Sequence, residues 1–222
     1  MMMEAQSILF TEEETLVRKN KAKKSLLWFG IISITMLFAA FTSAYIVRQG
    51  EGKWVQFDLP NMFIASTVVI LLSSIPMQWA VASAKRNDQK NLKTALLLTS
   101  LLGITFVVFQ YLAWSELFSQ GIAFAGQIKD IKGEYTYVRA GAESASDIAS
   151  MGNVAGSFLY VITAVHVAHL LAGILVLFIV FSHALKGKYS SANYNGVSIC
   201  ATYWHFLDGL WVYLFFFLLY IR

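Results

Sequence analysis

The chain of 222 residues has little cysteine, little proline and little charge. Cys200 is its only cysteine, which excludes a two-thiolate copper site, an iron–sulfur cluster and a haem attached through a Cys-x-x-Cys-His motif. Only two residues are proline and only 14% are charged, whereas 57% are hydrophobic and 15% aromatic. This composition is typical of an integral membrane protein.

Apolar runs of about 20 residues or more predict where the chain crosses the membrane. These runs cover residues 26–47, 62–84, 92–118, 154–185 and 197–221. Each is far longer than a membrane β-strand needs to be, so we predict an all-α integral membrane fold with five transmembrane helices. The transmembrane domain is residues 26–222. Residues 1–25 are too polar for a signal peptide and are expected to form a cytoplasmic surface helix.

The charges between these runs predict the orientation of the bundle. Basic residues precede the first run and fill the second and fourth connections: Arg18, Lys19, Lys21, Lys23, Lys24, Lys85, Arg86, Lys90, Lys93, Lys186 and Lys188. The first and third connections balance cations with acids, the third through Lys129, Asp130, Lys132, Glu134, Arg139, Glu143 and Asp147. We therefore predict a cytoplasmic N-terminus and a periplasmic C-terminus. The net charge of +4 reflects this topology, and no nucleic-acid partner is expected because no stacking platform lies between the basic residues.

The last run contains an ionisable pair. Asp208 follows His205 by three residues, which places both on one helical face. Burying a carboxylate in hydrocarbon is costly, so Asp208 must face protein, water or a lipid headgroup. An interhelical hydrogen bond is the simplest interpretation.

Histidines leave a second interpretation open. The chain has four, and His166 or His169 could hold a haem together with His205 from a facing helix. Four imidazoles are too few for a catalytic haem–copper centre.

Other polar groups within the runs are sparse. Gln110 and Thr163 are too scattered for a proton relay and favour helix packing or lipid contact. Gly103, Gly156 and Gly173 indicate close helix packing. Internal repeats of the kind found in transporters are missing, which counts against transport.

Two motifs near the C-terminus resemble one family. In GSFLYVITAVHVAHLLAG, a Phe-rich start leads to Thr, two histidines three residues apart and Gly; these are Phe158, Thr163, His166, His169 and Gly173. The stretch TYWHFLDGLW is similar to the family's Tyr-Trp-His-Phe-Val-Asp motif, with Leu207 in place of Val. Upstream, residues 66–74 and 101–110 are similar to its second and third conserved spans. From Trp28 to Tyr220 the chain resembles subunit III of haem–copper cytochrome c oxidases, in the short five-helix bacterial form that lacks two N-terminal helices.

The resemblance implies a non-catalytic accessory subunit of the bacterial inner (cytoplasmic) membrane that binds no cofactor itself. The a-type haems and copper are then expected in its partners, which would be catalytic subunit I, copper-bearing subunit II and other oxidase subunits. Phospholipids are further expected partners, and so is a larger respiratory supercomplex. Structural or lipid-contact candidates are Arg48, Gln110, His166, His169, Trp204, His205 and Asp208. The alternatives are a quinol oxidase subunit III, a stand-alone two-histidine haem protein and a proton channel.

Two positions depart from the family pattern. The family commonly carries a buried Glu after the Ser of its first shared helix, where this chain has Ile34 after Ser33. A second common Glu falls at Ala113. A proton-related role ascribed to those carboxylates is therefore not carried over to this chain.

Overall fold

A computed structural model describes residues 2–50, 54–124, 136–137, 153–191 and 193–221. Its helices are α1 (Met2–Gly50), α2 (Asn61–Lys85), α3 (Gln89–Ser119), α4 (Val154–Leu185) and α5 (Asn195–Tyr220). Two strands of two residues each, β1 (Val55–Gln56) and β2 (Thr136–Tyr137), pair antiparallel. Within the described ranges, five helices are long and apolar enough to cross a membrane, α1 through its segment Val17–Gly50. The predicted all-α membrane fold with five spanning helices is confirmed, with one small β-ladder added.

Helix α1 is longer than the first apolar run. It continues without a break through the segment predicted to lie on the cytoplasmic surface. The chain forms two compact units, Met1–Leu37 and Phe38–Arg222, so a boundary near residue 25 stays a prediction. In the first unit the Ser33 and Thr35 hydroxyls donate to carbonyls one turn back, at 2.9 and 2.8 Å, which satisfies them within their own helix.

In the second unit, helices α2 to α5 form a closed ring. Helix α2 packs against α3 and α5, and α4 packs against the same two helices. Small residues leave room for large side chains between the helices of this ring. A Cβ atom added to Gly103 would lie 2.7 Å from the Trp204 ring, and one added to Gly173 would lie 3.2 Å from the Tyr203 ring. The close packing predicted at these glycines is confirmed, as it is at Gly156.

The last turns of α1, from Phe38 onward, contact α4 and α5 through side chains. The Phe38 and His169 ring centres are 5.9 Å apart, and those of Tyr45 and Phe217 are 5.2 Å apart. The Gln49 amide donates to the carbonyl of Ile221 at 2.9 Å. This part of α1 therefore belongs to the same compact unit as the ring.

Contacts between connections separate the two ends of the bundle. Strands β1 and β2 join the first connection to the third. At the other end the Gln89 amide donates to the Tyr189 carbonyl at 2.6 Å, and the Lys85 ammonium lies 5.8 Å from the Tyr194 ring centre. The first and third connections thus share one end, and the second and fourth share the other, as the charge pattern predicts. The charges of the third connection, Lys129 to Asp147, lie outside the described residues, and the side that each end faces stays a prediction.

Candidate functional site

Four hydroxyl side chains of α2 each meet a polar side chain of a neighbouring helix. They are Ser66, Thr67, Ser73 and Ser74, and we call them the α2 hydroxyl row. Because the two pairs are seven residues apart, they lie two turns apart on one face of the helix. The first three accept hydrogen bonds from Gln110 Nε2 at 2.8 Å, Trp211 Nε1 at 2.9 Å and Trp204 Nε1 at 2.9 Å, respectively.

The same hydroxyls also donate within α2. Ser66 and Thr67 donate to the carbonyl of Phe63 at 2.9 and 2.7 Å, and Ser73 donates to that of Ile70 at 2.6 Å. A hydroxyl has one proton to donate and lone pairs that accept, so each group is used in both directions. The row therefore joins α2 to α3 and α5 without leaving these buried hydroxyls unsatisfied.

Ser74 differs because its neighbours are ionisable. Its hydroxyl donates to Asp208 Oδ2, and its oxygen lies 3.1 Å from Nδ1 of His205. His205 Nδ1 and Asp208 Oδ2 are 4.0 Å apart, which is too far for a hydrogen bond between them. The Ser74 hydroxyl therefore bridges the two side chains. We call Ser74, His205 and Asp208 the Ser74 cluster. Asp208 is only 3% exposed and therefore faces protein, which is one of the three environments that the sequence left open.

His166 lies in an aromatic cage. It is completely buried, with ring centres of Trp211, Phe106 and Phe38 at 5.0, 5.9 and 6.4 Å. Neither of its ring nitrogens has a hydrogen-bond partner among the described residues. A haem bound to His166 would have to displace these rings. Gln110 is also completely buried, and its Oε1 likewise lacks a described partner.

The remaining candidates lie at different depths. His169 Nδ1 is 2.8 Å from the carbonyl of Val165 in its own helix, and its ring packs on Phe38. Arg48 is exposed ten residues beyond Phe38, which is about 15 Å further along α1. Trp204 is completely buried, and its indole N–H donates a hydrogen bond to the Ser73 hydroxyl. The structure does not bring Arg48, His169 and Trp204 to one lipid headgroup.

The polar side chains of the α2 hydroxyl row and the Ser74 cluster form hydrogen bonds between helices. In the described part of the chain, no group of three or more His, Cys, Asp and Glu side chains could hold a metal ion. The row and the Ser74 cluster instead fix how α2 sits against α3 and α5.

Sequence reasoning missed the residues of α2 that complete these contacts. Ser74 pairs with Asp208 across 134 positions, and Thr67 pairs with Trp211 across 144. The only signal in the sequence was that hydroxyl residues occur inside an apolar run. Such residues can form hydrogen bonds, but the sequence does not show which residue of another helix each one bonds.

Comparison with known proteins agrees with this bundle. The family model described as "Cytochrome c oxidase subunit III" matches residues 131–222, which contain α4 and α5. "Cytochrome c oxidase subunit 3" of Corynebacterium diphtheriae is 26% identical over 188 residues, covering 81% of this chain and 78% of that protein. The "Probable cytochrome c oxidase subunit 3" of Rickettsia felis is 28% identical over 204 residues, covering 83% and 62%. The subunit 3 of Thermostichus vulcanus is 25% identical over 193 residues, covering 83% and 80%. The family model and these relatives support the cytochrome c oxidase subunit III family for this chain.

Proposed function

We propose that the chain is the non-catalytic accessory subunit III of a proton-pumping haem–copper terminal oxidase in a bacterial cytoplasmic membrane. The oxidase would pass electrons from cytochrome c to oxygen. The names of the relatives support this donor, since each is a cytochrome c oxidase subunit 3.

One observation carries the accessory role. The polar side chains of the α2 hydroxyl row are used in bonds between helices, which gives them a structural task inside the bundle. The a-type haems and copper would then reside in subunits I and II. This chain would stabilise the catalytic subunit by presenting a fixed helical surface to it.

Lipid binding is a second part of the proposal. Arg48 is exposed near the end of α1, at the depth where a guanidinium can meet a phosphate headgroup. His169 and His205 lie deeper, away from the phosphate headgroups. Arg48→Gln should therefore lower the amount of phospholipid retained by the purified complex, and unchanged retention would argue against this part of the proposal.

The accessory role is tested by affinity purification of the chain from its native membrane in mild detergent. A reduced-minus-oxidised spectrum and identification of the copurifying polypeptides are then recorded. We expect a-type haem bands together with a large catalytic subunit, and loss of both when the chain is isolated. Haem retained by the isolated chain would instead support the two-histidine alternative.

The electron donor is tested on the same preparation. We expect oxygen consumption with reduced cytochrome c as the donor and little with a quinol. The reverse preference would assign the chain to a quinol oxidase and leave its accessory role unchanged.

A further inference from the structure

The seam between α2 and α5 carries polar groups on the outer surface of the bundle. Its face, which we call the seam face, consists of Ser74, Gln78, Thr202, His205 and Gly209. His205 contacts Ser74 across the seam. Gln78 lies one turn beyond Ser74 on α2, while Thr202 and Gly209 lie one turn on either side of His205 on α5.

The seam face differs from the surface of α3. There the exposed side chains at the same depths include Leu97, Leu101, Ile104 and Val108, which suit contact with acyl chains. On the seam face Gln78 and Thr202 are exposed, and the His205 side chain is 37% exposed. His205 follows the start of α5 by ten residues, or about 15 Å, so it lies near the middle of a hydrocarbon core about 30 Å thick.

A half-exposed imidazole at this depth requires a polar partner. Acyl chains form no hydrogen bonds, and lipid headgroups lie about 15 Å away at the membrane surface. Nδ1 of His205 is used by Ser74, but no described residue hydrogen-bonds its Nε2. Gln78 is exposed on the same face. Intramembrane polar groups of this kind face protein rather than lipid.

Gly209 supplies room for that protein. It is exposed, and a Cβ added to it would meet no atom within 4 Å. A neighbouring backbone can approach closely at a bare glycine beside a hydrogen-bonding side chain, which is how membrane helices associate.

We propose that the seam face docks a transmembrane helix of another oxidase subunit, which places a hydrogen-bonding side chain opposite His205 and packs its backbone against Gly209. This inference rests on the proposed function, because it names the surface through which an accessory subunit would join its complex. A second copy of this chain and a lipid acyl chain are the competing occupants.

Photocrosslinking in the assembled oxidase tests the occupant. Gly209→p-benzoylphenylalanine and Thr202→p-benzoylphenylalanine probe the seam face, and Leu101→p-benzoylphenylalanine on α3 is the control, since Leu101 is also exposed. We expect crosslinked peptides from another oxidase subunit at positions 209 and 202, at least tenfold more abundant than at position 101. Crosslinks only to lipid or to a second copy, or a stronger subunit crosslink at position 101, would overturn the proposal.

A steric test uses matched glycines. Gly209→Leu should leave the thermal unfolding of the isolated chain unchanged but reduce copurifying a-type haem at least fivefold. Gly30→Leu is the control, because Gly30 also has no neighbour within 4 Å of an added Cβ. Full haem recovery with Gly209→Leu would overturn the docking face while leaving the accessory role intact. If the unmodified chain recovers no haem and crosslinks to no subunit, both the face and the proposed function fail.

Discussion

Ser74 decides the surroundings of two ionisable side chains near the middle of the membrane. The spacing in the sequence predicts that His205 and Asp208 share one helical face, and in the structure His205 Nδ1 and Asp208 Oδ2 are 4.0 Å apart. The hydrogen bonds that connect them come from α2, because Ser74 donates to Asp208 and faces His205 Nδ1. A single sequence supplies the spacing within one helix but not the partner on another, since that depends on how whole helices pack.

Replacing Asp208 with Leu should weaken assembly of the complex. The change removes the carboxylate that accepts the Ser74 hydrogen bond, at a cost of about 1–2 kcal/mol for a group in the bundle. Less of the chain should remain in the purified complex, whereas turnover per haem in the complex that does assemble should stay nearly unchanged. Asp208→Asn is the matched control, because it keeps an oxygen for Ser74 and should assemble better than Asp208→Leu. Normal assembly with abolished turnover would contradict the structural role.

Replacing His166 with Phe should leave stability unchanged or raise it. Its ring nitrogens are buried without described partners, and its neighbours are the rings of Phe38, Phe106 and Trp211. An apolar ring of similar size removes the unpaired polar atoms while keeping the contacts between rings. Thermal unfolding of the purified complex measures the effect. A clear fall in the melting temperature would mean that His166 has a hydrogen-bond partner, such as a buried water molecule.

The helices themselves could be predicted more closely than their contacts. The predicted spans 62–84 and 92–118 correspond to the helices Asn61–Lys85 and Gln89–Ser119. They could be predicted because a helix that spans a bilayer requires an apolar run of about 20 residues, which is visible in the sequence. The continuation of α1 through a polar N-terminal segment could not be read this way. Polar and charged residues such as Lys, Glu and Gln form helices as readily in water as apolar ones do, so the end of an apolar run does not mark the end of a helix.

Gly103 on α3 leaves room for the Trp204 ring, which reaches it from α5 on the opposite side of the helical ring. A Cβ atom at this position would lie 2.7 Å from the rigid Trp204 ring, whose N–H is held by Ser73. Gly103→Ala should therefore displace the Trp204 ring and destabilise the bundle by about 1–3 kcal/mol. Gly30→Ala is the matched control, since it has no neighbour within 4 Å and should unfold at the normal temperature or higher. Equal melting temperatures for the two variants would show that Trp204 moves aside.

At the scale of the whole molecule, the similarity to cytochrome c oxidase subunits III supports a role in a complex with other oxidase subunits. The chain departs from the family where carboxylates are common, because Ile34 and Ala113 occupy those positions and Ala113 is completely buried. Four hydroxyls of α2 instead form hydrogen bonds with polar side chains of α3 and α5. This distribution suits a subunit that holds and orients a partner rather than one that conducts protons through its own bundle.

The orientation of the molecule in the membrane follows from pairing between its connections. The β1 and β2 strands place the first and third connections at one end, and the bond from Gln89 to Tyr189 places the second and fourth at the other. Because the basic residues cluster in the second and fourth connections, that end should be cytoplasmic.

Single cysteines introduced into a Cys200→Ala background test this orientation with a maleimide that cannot cross membranes. Asp58→Cys and Ser119→Cys should react in intact spheroplasts, because they lie at the predicted periplasmic end. Arg86→Cys and Lys188→Cys should react only after the membrane is permeabilised. If all four cysteines were labelled in the opposite pattern, the predicted orientation of the bundle would be wrong. Different sidedness within either pair would contradict the pairing of the connections, because two loops that contact each other at one end of a bundle must face the same compartment.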